Sequence, residues 1–193
     1  MADYFAITGA PNDDACAVFD HPESFEKFTW PSLGRELGAE WPEGLEYRMS
    51  PDAPGLAIPD VIDNALDYLM VSARAKALLS EHATAPIEWL RFTLLNHKGR
   101  VASDDLWIAN VLTAIECVDR EKTVGKPYPA RPEWYFSIRE LHLLEDRIDP
   151  QANCFRLAER PMVIMVRDDL RSLLESEGIT GAAFHPLGEE VRL

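Results

Sequence analysis

An α+β fold, mostly antiparallel sheet with a few short helices, is what this sequence predicts, and three observations predict it. Short runs rich in β-branched and aromatic residues recur between clusters of Gly, Pro, Asn and Asp, the pattern of strands joined by turns. At two places, Leu69 to Leu79 and Ile164 to Leu174, a strand-like run passes straight into a helical stripe, and a strand-like run follows each. The chain is 193 residues long and 47% hydrophobic, enough to bury one substantial core, so residues 1–193 are expected to form a single domain.

Taken in order, Tyr4 to Ile7 is a short strand candidate, Gly9 to Asp14 a turn, and Ala15 to Phe19 its expected returning partner. Residues 21–59 carry six prolines and four glycines, which disfavour long helices and central strands. Phe25, Phe28, Trp30, Trp41 and Tyr47 are interleaved with them, so the segment reads as an ordered cover packed on the domain rather than a linker. Pro59 to Ala65 is expected to form a helical turn and Tyr68 to Val71 a strand. Ser72 then caps a helix whose Ala75, Leu78 and Leu79 face inward. Ile87 to Leu95 is a strand, and Asn96-His97-Lys98-Gly99 is a turn in which Gly99 supplies a positive φ. Leu106 to Val118 reads as the other hairpin arm, although Ile108, Val111, Leu112 and Ile115 also fit a helical face.

Glu121 to Arg131 reads as a charged, Pro-containing connection and Ser137 to Ile148 as a further strand. In the last block, Phe155 to Ala158 and Met162 to Val166 flank a turn at Glu159-Arg160-Pro161. Asp168 is expected to cap a helix with Leu170, Leu173 and Leu174 on one stripe. Gly178 stands where a left-handed C′ residue belongs, with Ile179 covering Leu174. The two strand–helix–strand units align without gaps, Met70 on Met165 and Leu79 on Leu174; convergence on one physical pattern and duplication of one unit both account for this.

Thirty-three acids against 19 bases leave a formal charge of −14, which disfavours nucleic acid and anionic membranes and leaves room for a basic partner. Cys16, Cys117 and Cys154 form no metal or redox spacing, so reduced, buried thiols in a cytoplasmic protein are expected. The first residues are acidic where a signal peptide needs bases, and no apolar run approaches a membrane span.

No residue pattern points to catalysis, and no cofactor or metal motif is present. His142 and Glu145 are close in sequence, but on the strand expected there they would point to opposite faces. An acidic set of Asp104, Glu116 and Asp119 is the one arrangement that could serve a small-substrate enzyme, provided the three converge in a pocket. A self-associating scaffold is a further alternative.

An ordered series of segments carries a family resemblance. Tyr4-Phe5 comes first, then Trp41-Pro42, then Asp67-Tyr-Leu-Met-Val-Ser72 entering its helix, then Gly99 after the Asn-His-Lys turn. Asn110-Val-Leu-Thr-Ala-Ile-Glu-Cys-Val-Asp-Arg-Glu-Lys-Thr123 follows, and Cys154-Phe-Arg-Leu157 and Gly178-Ile-Thr-Gly-Ala-Ala-Phe184 close the series. In these the chain resembles the bacterial immunity proteins of polymorphic-toxin loci placed in immunity family eleven, formerly a domain of unknown function and common in myxobacteria. Thr123 stands where that family usually has Ser, and Leu106-Trp107 where it has an aromatic pair; both changes are mild. The resemblance implies binding to a cognate protein toxin and brings no catalytic residues. Asp104 and Asp105, at the start of an exposed arm, and Trp30 and Trp41, in the aromatic cover, are the residues expected to meet it.

Overall fold

Ile87–Leu95 and Val101–Val111 are rich in aliphatic and aromatic residues, and these two segments pair as the longest hairpin of the computed structural model, which describes residues 3–191 and 193. Asn96 makes the turn: its side-chain oxygen accepts from the amides of Lys98 (2.9 Å) and Arg100 (3.1 Å), and Gly99 takes φ +71°.

In chain order the strands and helices are β1 (Tyr4–Gly9), β2 (Ala17–Val18), β3 (Glu46–Arg48), β4 (Val61–Asn64), β5 (Met70–Ser72), α1 (Ala73–His82), β6 (Ile87–Leu95) and β7 (Val101–Val111). There follow β8 (Ala114–Ile115), β9 (Val124–Tyr128), β10 (Arg131–Glu140), β11 (Cys154–Leu157), β12 (Arg160–Arg167), α2 (Asp168–Ser176) and β13 (Ala182–Pro186). One sheet runs β2-β4-β5-β7-β6-β3 and a second β13-β1-β12-β11-β8, while β9 and β10 form a two-stranded ribbon, with β10 also bonded to Glu190, Val191 and Leu193. The α+β class holds, with strand dominant and pairing mostly antiparallel; β2–β4, β3–β6 and β8–β11 are the parallel pairs.

Alternation along each strand divides the interior into three apolar clusters. Leu90, Phe92, Leu94, Leu106 and Ile108 point to one side of the larger sheet, where Phe25, Leu37, Leu45 and Tyr47 of the Pro/Gly-rich segment cover them. Val71, Ala109 and Val111 point to the other side and share a cluster with Ile7, Ile164 and Val166 of the smaller sheet and with both helices. Tyr4, Phe155, Leu157 and Met165 face a third cluster closed by Ile138, Leu141 and Ile148. The two sheets meet at a tight seam. Gly181, at φ +77°, lies so close to the carbonyl of Val61 that an added Cβ would stand 2.3 Å from it.

Helix ends obey local rules in part. Ser72 caps α1 by accepting from the Ala75 amide at 3.2 Å. Past α2, the amide of Ile179 reaches the Leu174 carbonyl and that of Gly178 (φ +68°) the Glu175 carbonyl, both at 2.9 Å, which is a Schellman closure. Asp168, however, does not cap: the N-cap position is Arg167, without a side-chain cap bond. Asp168 is the first helical residue, and its carboxylate is drawn to Arg171 at 2.7 Å, one turn on.

Several sequence expectations are corrected by long-range pairing. Ala15 to Phe19 does not return on β1; its core, β2, joins β4 in parallel. Pro59 to Ala65 contains strand β4 rather than a helical turn, because β4 pairs with β5 and buries Val61 toward the second sheet and Ile62 in the first cluster. Glu121 to Arg131 is no mere connection, since Val124–Tyr128 pairs with β10. The strand expected at Ser137 to Ile148 begins earlier and ends at Glu140. Leu106 to Val118 is strand as favoured, but it starts at Val101 and breaks after Val111. The turn expected at Glu159-Arg160-Pro161 lies at Ala158-Glu159, and Pro161 stands inside β12 where its carbonyl, not its nitrogen, makes the bond. Among the described residues no helix is long and apolar enough to cross a membrane.

One buried cation ties these layers together. Arg156 is 1% exposed, and no carboxylate pairs with it among the described residues. Its Nε donates to the Val111 carbonyl (2.7 Å), its Nη1 to Ser32 (2.9 Å) and Pro161 (2.7 Å), and its Nη2 to Pro31 (2.7 Å). Burial pushes its pKa down to about 10, so it remains a cation at neutral pH.

Candidate partner interface

The segment covering the larger sheet ends in a cleft along β6. Glu88 begins the construction. It sits on the cluster-facing side of β6, and its carboxylate accepts from the amides of Leu37 (3.1 Å) and Gly38 (2.6 Å) and from the side-chain amide of Asn110 (2.9 Å). A carboxylate at the start of the short 3-10 turn Gly38–Glu40 satisfies amides that the turn itself leaves free. Trp41 follows, and its indole N–H donates to the Arg91 carbonyl at 2.8 Å while Phe25 meets its ring edge-to-face at 5.1 Å. Arg91 in turn donates from Nε to the Asp104 carbonyl at 2.9 Å.

Between this loop and β6 lies a cleft of about 530 Å³, lined by Trp41, Glu43, Gly44, Trp89, Arg91 and Asp104 among others. Its rim is acidic. Residues 36–46 contain Glu36, Glu40, Glu43 and Glu46 and no basic residue, and all four are exposed. Lys27 pairs with Glu40, which leaves Glu36, Glu43, Glu46 and Asp104 without a salt-bridge partner among the described residues.

The four residues expected to meet a partner fall in different places. Asp104 and Trp41 line this cleft together. Asp105 is exposed where the pairing of β7 with β6 shifts register, does not line the cleft, and donates its amide to the Ser103 hydroxyl at 3.3 Å. Trp30 is half-buried against the first cluster, with Lys27 4.4 Å and Arg35 5.7 Å from its ring centre, and does not line the cleft.

The acidic set considered for an enzyme does not converge. Asp104 belongs to the cleft just described, and Glu116 is exposed with Arg147 at 3.8 Å. Asp119 lines a separate cavity of about 690 Å³ with Tyr4, Lys122, His142 and Glu145. Desolvation there opposes ionisation of Asp119, but the Lys122 ammonium (3.3 Å) and the amides of Lys122 and Glu121 outweigh it, and the carboxyl is held below its ordinary value.

His142 and Glu145 are not on opposite strand faces, because β10 has already ended. Both line the larger cavity, with His142 bonded to Glu140 at 2.8 Å. Among the described residues no three His, Cys, Asp or Glu side chains are grouped to hold a metal ion.

Sequence reasoning passed over Glu88, Asn110 and Arg156. The signal was present: each is a polar residue beside strongly apolar positions, with a core residue two positions away, Leu90 for Glu88, Ile108 for Asn110 and Cys154 for Arg156. Burying such a group is costly unless specific partners await it, so its placement marks a structural tie.

Residues 11–189 match the model of the Immunity protein family (Imm11). No curated protein matches the sequence.

Proposed function

The chain belongs to the Imm11 immunity protein family, which matches residues 11–189, and from that premise we propose that it neutralises a cognate bacterial toxin by direct stoichiometric binding, without catalysis. The acidic cleft beside Trp41 and Asp104 is the observation that carries the placement of the interface. It combines an aromatic anchor, a concave surface and a rim of uncompensated carboxylates, the features of a contact centre for a cationic protein.

The formal charge of −14 supports the same reading, since it would accelerate capture of a basic toxin and make the on-rate fall with salt. A stable complex buries roughly 1,200–2,000 Å² in total, about 600–1,000 Å² on this side. That is a small part of the 10129 Å² surface, so the cleft and its rim form the middle of the contact rather than its whole extent. In this reading residues 1–193 act as one cytoplasmic domain, and the strand–helix–strand units β5-α1-β6 and β12-α2-β13 are its scaffold.

Co-production with the toxin domain encoded beside this gene tests the proposal. Growth is expected to be rescued, and the two proteins to co-purify in equal amounts. Glu43→Lys with Asp104→Lys is expected to slow association at low salt while leaving stability within about 0.5 kcal/mol. Rescue without any complex would overturn the binding mechanism, and full-speed association of the charge-reversed variant would overturn the placement.

A further inference from the structure

The larger sheet is only half closed on its β6 side. β3 pairs with β6 at Thr93, Leu94 and Leu95, and among the described residues no strand lies beside Ile87–Phe92 on that side. Ladder alternation tells which backbone groups are turned outward there. The Thr93 amide already points away from β7, donating to the Leu45 carbonyl at 2.9 Å, so the amides and carbonyls of Arg91 and Trp89 point the same way. The Arg91 carbonyl is taken by the Trp41 indole. The Arg91 amide and both backbone groups of Trp89 face the cleft.

Free sheet edges are usually blunted by lysine, proline, a bulge or a covering loop. Here the neighbouring loop covers the edge only at the Arg91 carbonyl, through the Trp41 indole, and the rest of the space between loop and edge is the 530 Å³ cleft. The chemistry of its walls selects the occupant. Glu43 and Asp104 line it beside one cation, Arg91, whose Nε is taken by the Asp104 carbonyl; Glu36 and Glu46 are exposed close by in sequence, and residues 36–46 supply no further cation. An added strand presents alternate side chains to the two faces of the sheet, so basic side chains on one face of it would lie toward these carboxylates.

We propose that the toxin is held by strand addition: an extended segment of it, carrying basic residues at alternate positions, lies along Ile87–Arg91 in line with β3 and takes the free backbone groups of Trp89 and Arg91. The available edge is about 17 Å long at about 3.4 Å per residue, room for one short strand. This rests on the toxin-binding reading above and specifies its contact. Specificity then resides in the segment's alternate side chains, and affinity partly in main-chain bonds that any extended sequence could supply.

The experiment is residue-resolved amide exchange by NMR on the full chain, alone and bound to the toxin domain encoded beside this gene, carried in a catalytically inactive form. In the free protein the Trp89 and Arg91 amides are expected to exchange fast, and in the complex at least about tenfold more slowly. Leu90 and Phe92, bonded to β7 in both states, are expected to change little. Arg91→Pro removes the outward amide without breaking a β7 bond, a substitution edge strands tolerate. It is expected to weaken the complex about fivefold to tenfold, the worth of one such bond. If Arg91→Pro misfolds, the exchange measurement on the unaltered protein still decides. A complex in which Trp89 and Arg91 exchange as fast as in the free chain overturns strand addition and leaves toxin binding standing. Absence of any complex overturns toxin binding and this inference with it. Concentration-dependent protection of the same amides in the free protein identifies a second copy as the occupant and also overturns it.

Discussion

Replacing Arg156 with methionine removes the cation that the fold is tied around while keeping most of its volume. Four charge-assisted bonds to carbonyls are lost, and at about 1.5–3 kcal/mol each they sum to about 6–12 kcal/mol. Against this, the native state no longer has to hold a desolvated guanidinium, which relieves several kcal/mol. The balance leaves a net loss of about 3–5 kcal/mol, the usual cost of removing one side of a buried charged network. For a chain whose urea dependence is about 2.5 kcal/mol/M, the unfolding midpoint should fall by about 1–2 M.

The loss should also have a location. Two of the four carbonyls, Pro31 and Ser32, belong to the covering segment, so amides around residues 29–35 should lose exchange protection before the strands do. Arg156→Lys should recover little, because an ammonium has three donors and no planar fork, and the bonds observed use all three guanidinium nitrogens. A midpoint for Arg156→Met within about 0.4 M of the parent, which is about 1 kcal/mol, would refute the reasoning, since four orphaned carbonyls could not then depend on this residue.

Asp60 accepts from Ser72 Oγ (2.7 Å) and from the Thr180 amide and hydroxyl (3.0 Å each), with Arg74 at 3.5 Å. Burial opposes its ionisation, but these partners prevail and hold its carboxyl below 3.8, so its stabilisation is complete above pH 3.8 and is lost as pH falls through the lower folded value. Asp60→Asn should therefore cost about 1–3 kcal/mol at pH 7 in denaturant titrations, with the difference from the parent closing in acid. Glu88→Ala should cost about 2–3 kcal/mol and release the Gly38–Glu40 turn, seen as faster exchange at Leu37 and Gly38; equal exchange would refute its anchoring role. Cys16, Cys117 and Cys154 are buried and free, and burial pushes their thiols up to about 11 for the first and about 12 for the others. An aromatic disulfide reagent at pH 8 should therefore label none of them until the protein unfolds, and prompt native labelling would contradict the packing.

The parts legible in the sequence are those decided within a few residues. Ser72 caps α1, Gly99 turns the long hairpin and Gly178 closes α2, because capping and positive-φ geometry are local chemistry. Asp168 shows the limit of that reasoning. A carboxylate before an apolar stripe suits a cap, but β12 runs one residue further, Arg167 takes the cap position, and Arg171 claims the carboxylate. Of the candidate site, Trp41 and Asp104 were legible as an exposed acid and an aromatic anchor, whereas their meeting depends on a chain separation of more than sixty positions.

By itself the sequence determined the α+β class, the chemistry of the turns and the acidic surface, since these depend on composition and near-neighbour periodicity. Tertiary structure decided which strands pair. β2 joins β4 rather than β1, and Val124–Tyr128 becomes a strand because β10 lies beside it. It also decided that Arg156 and Glu88, polar residues beside strongly apolar positions, are ties between layers: a buried charge persists only where distant carbonyls and amides converge on it, and that convergence exists only once the sheets have packed.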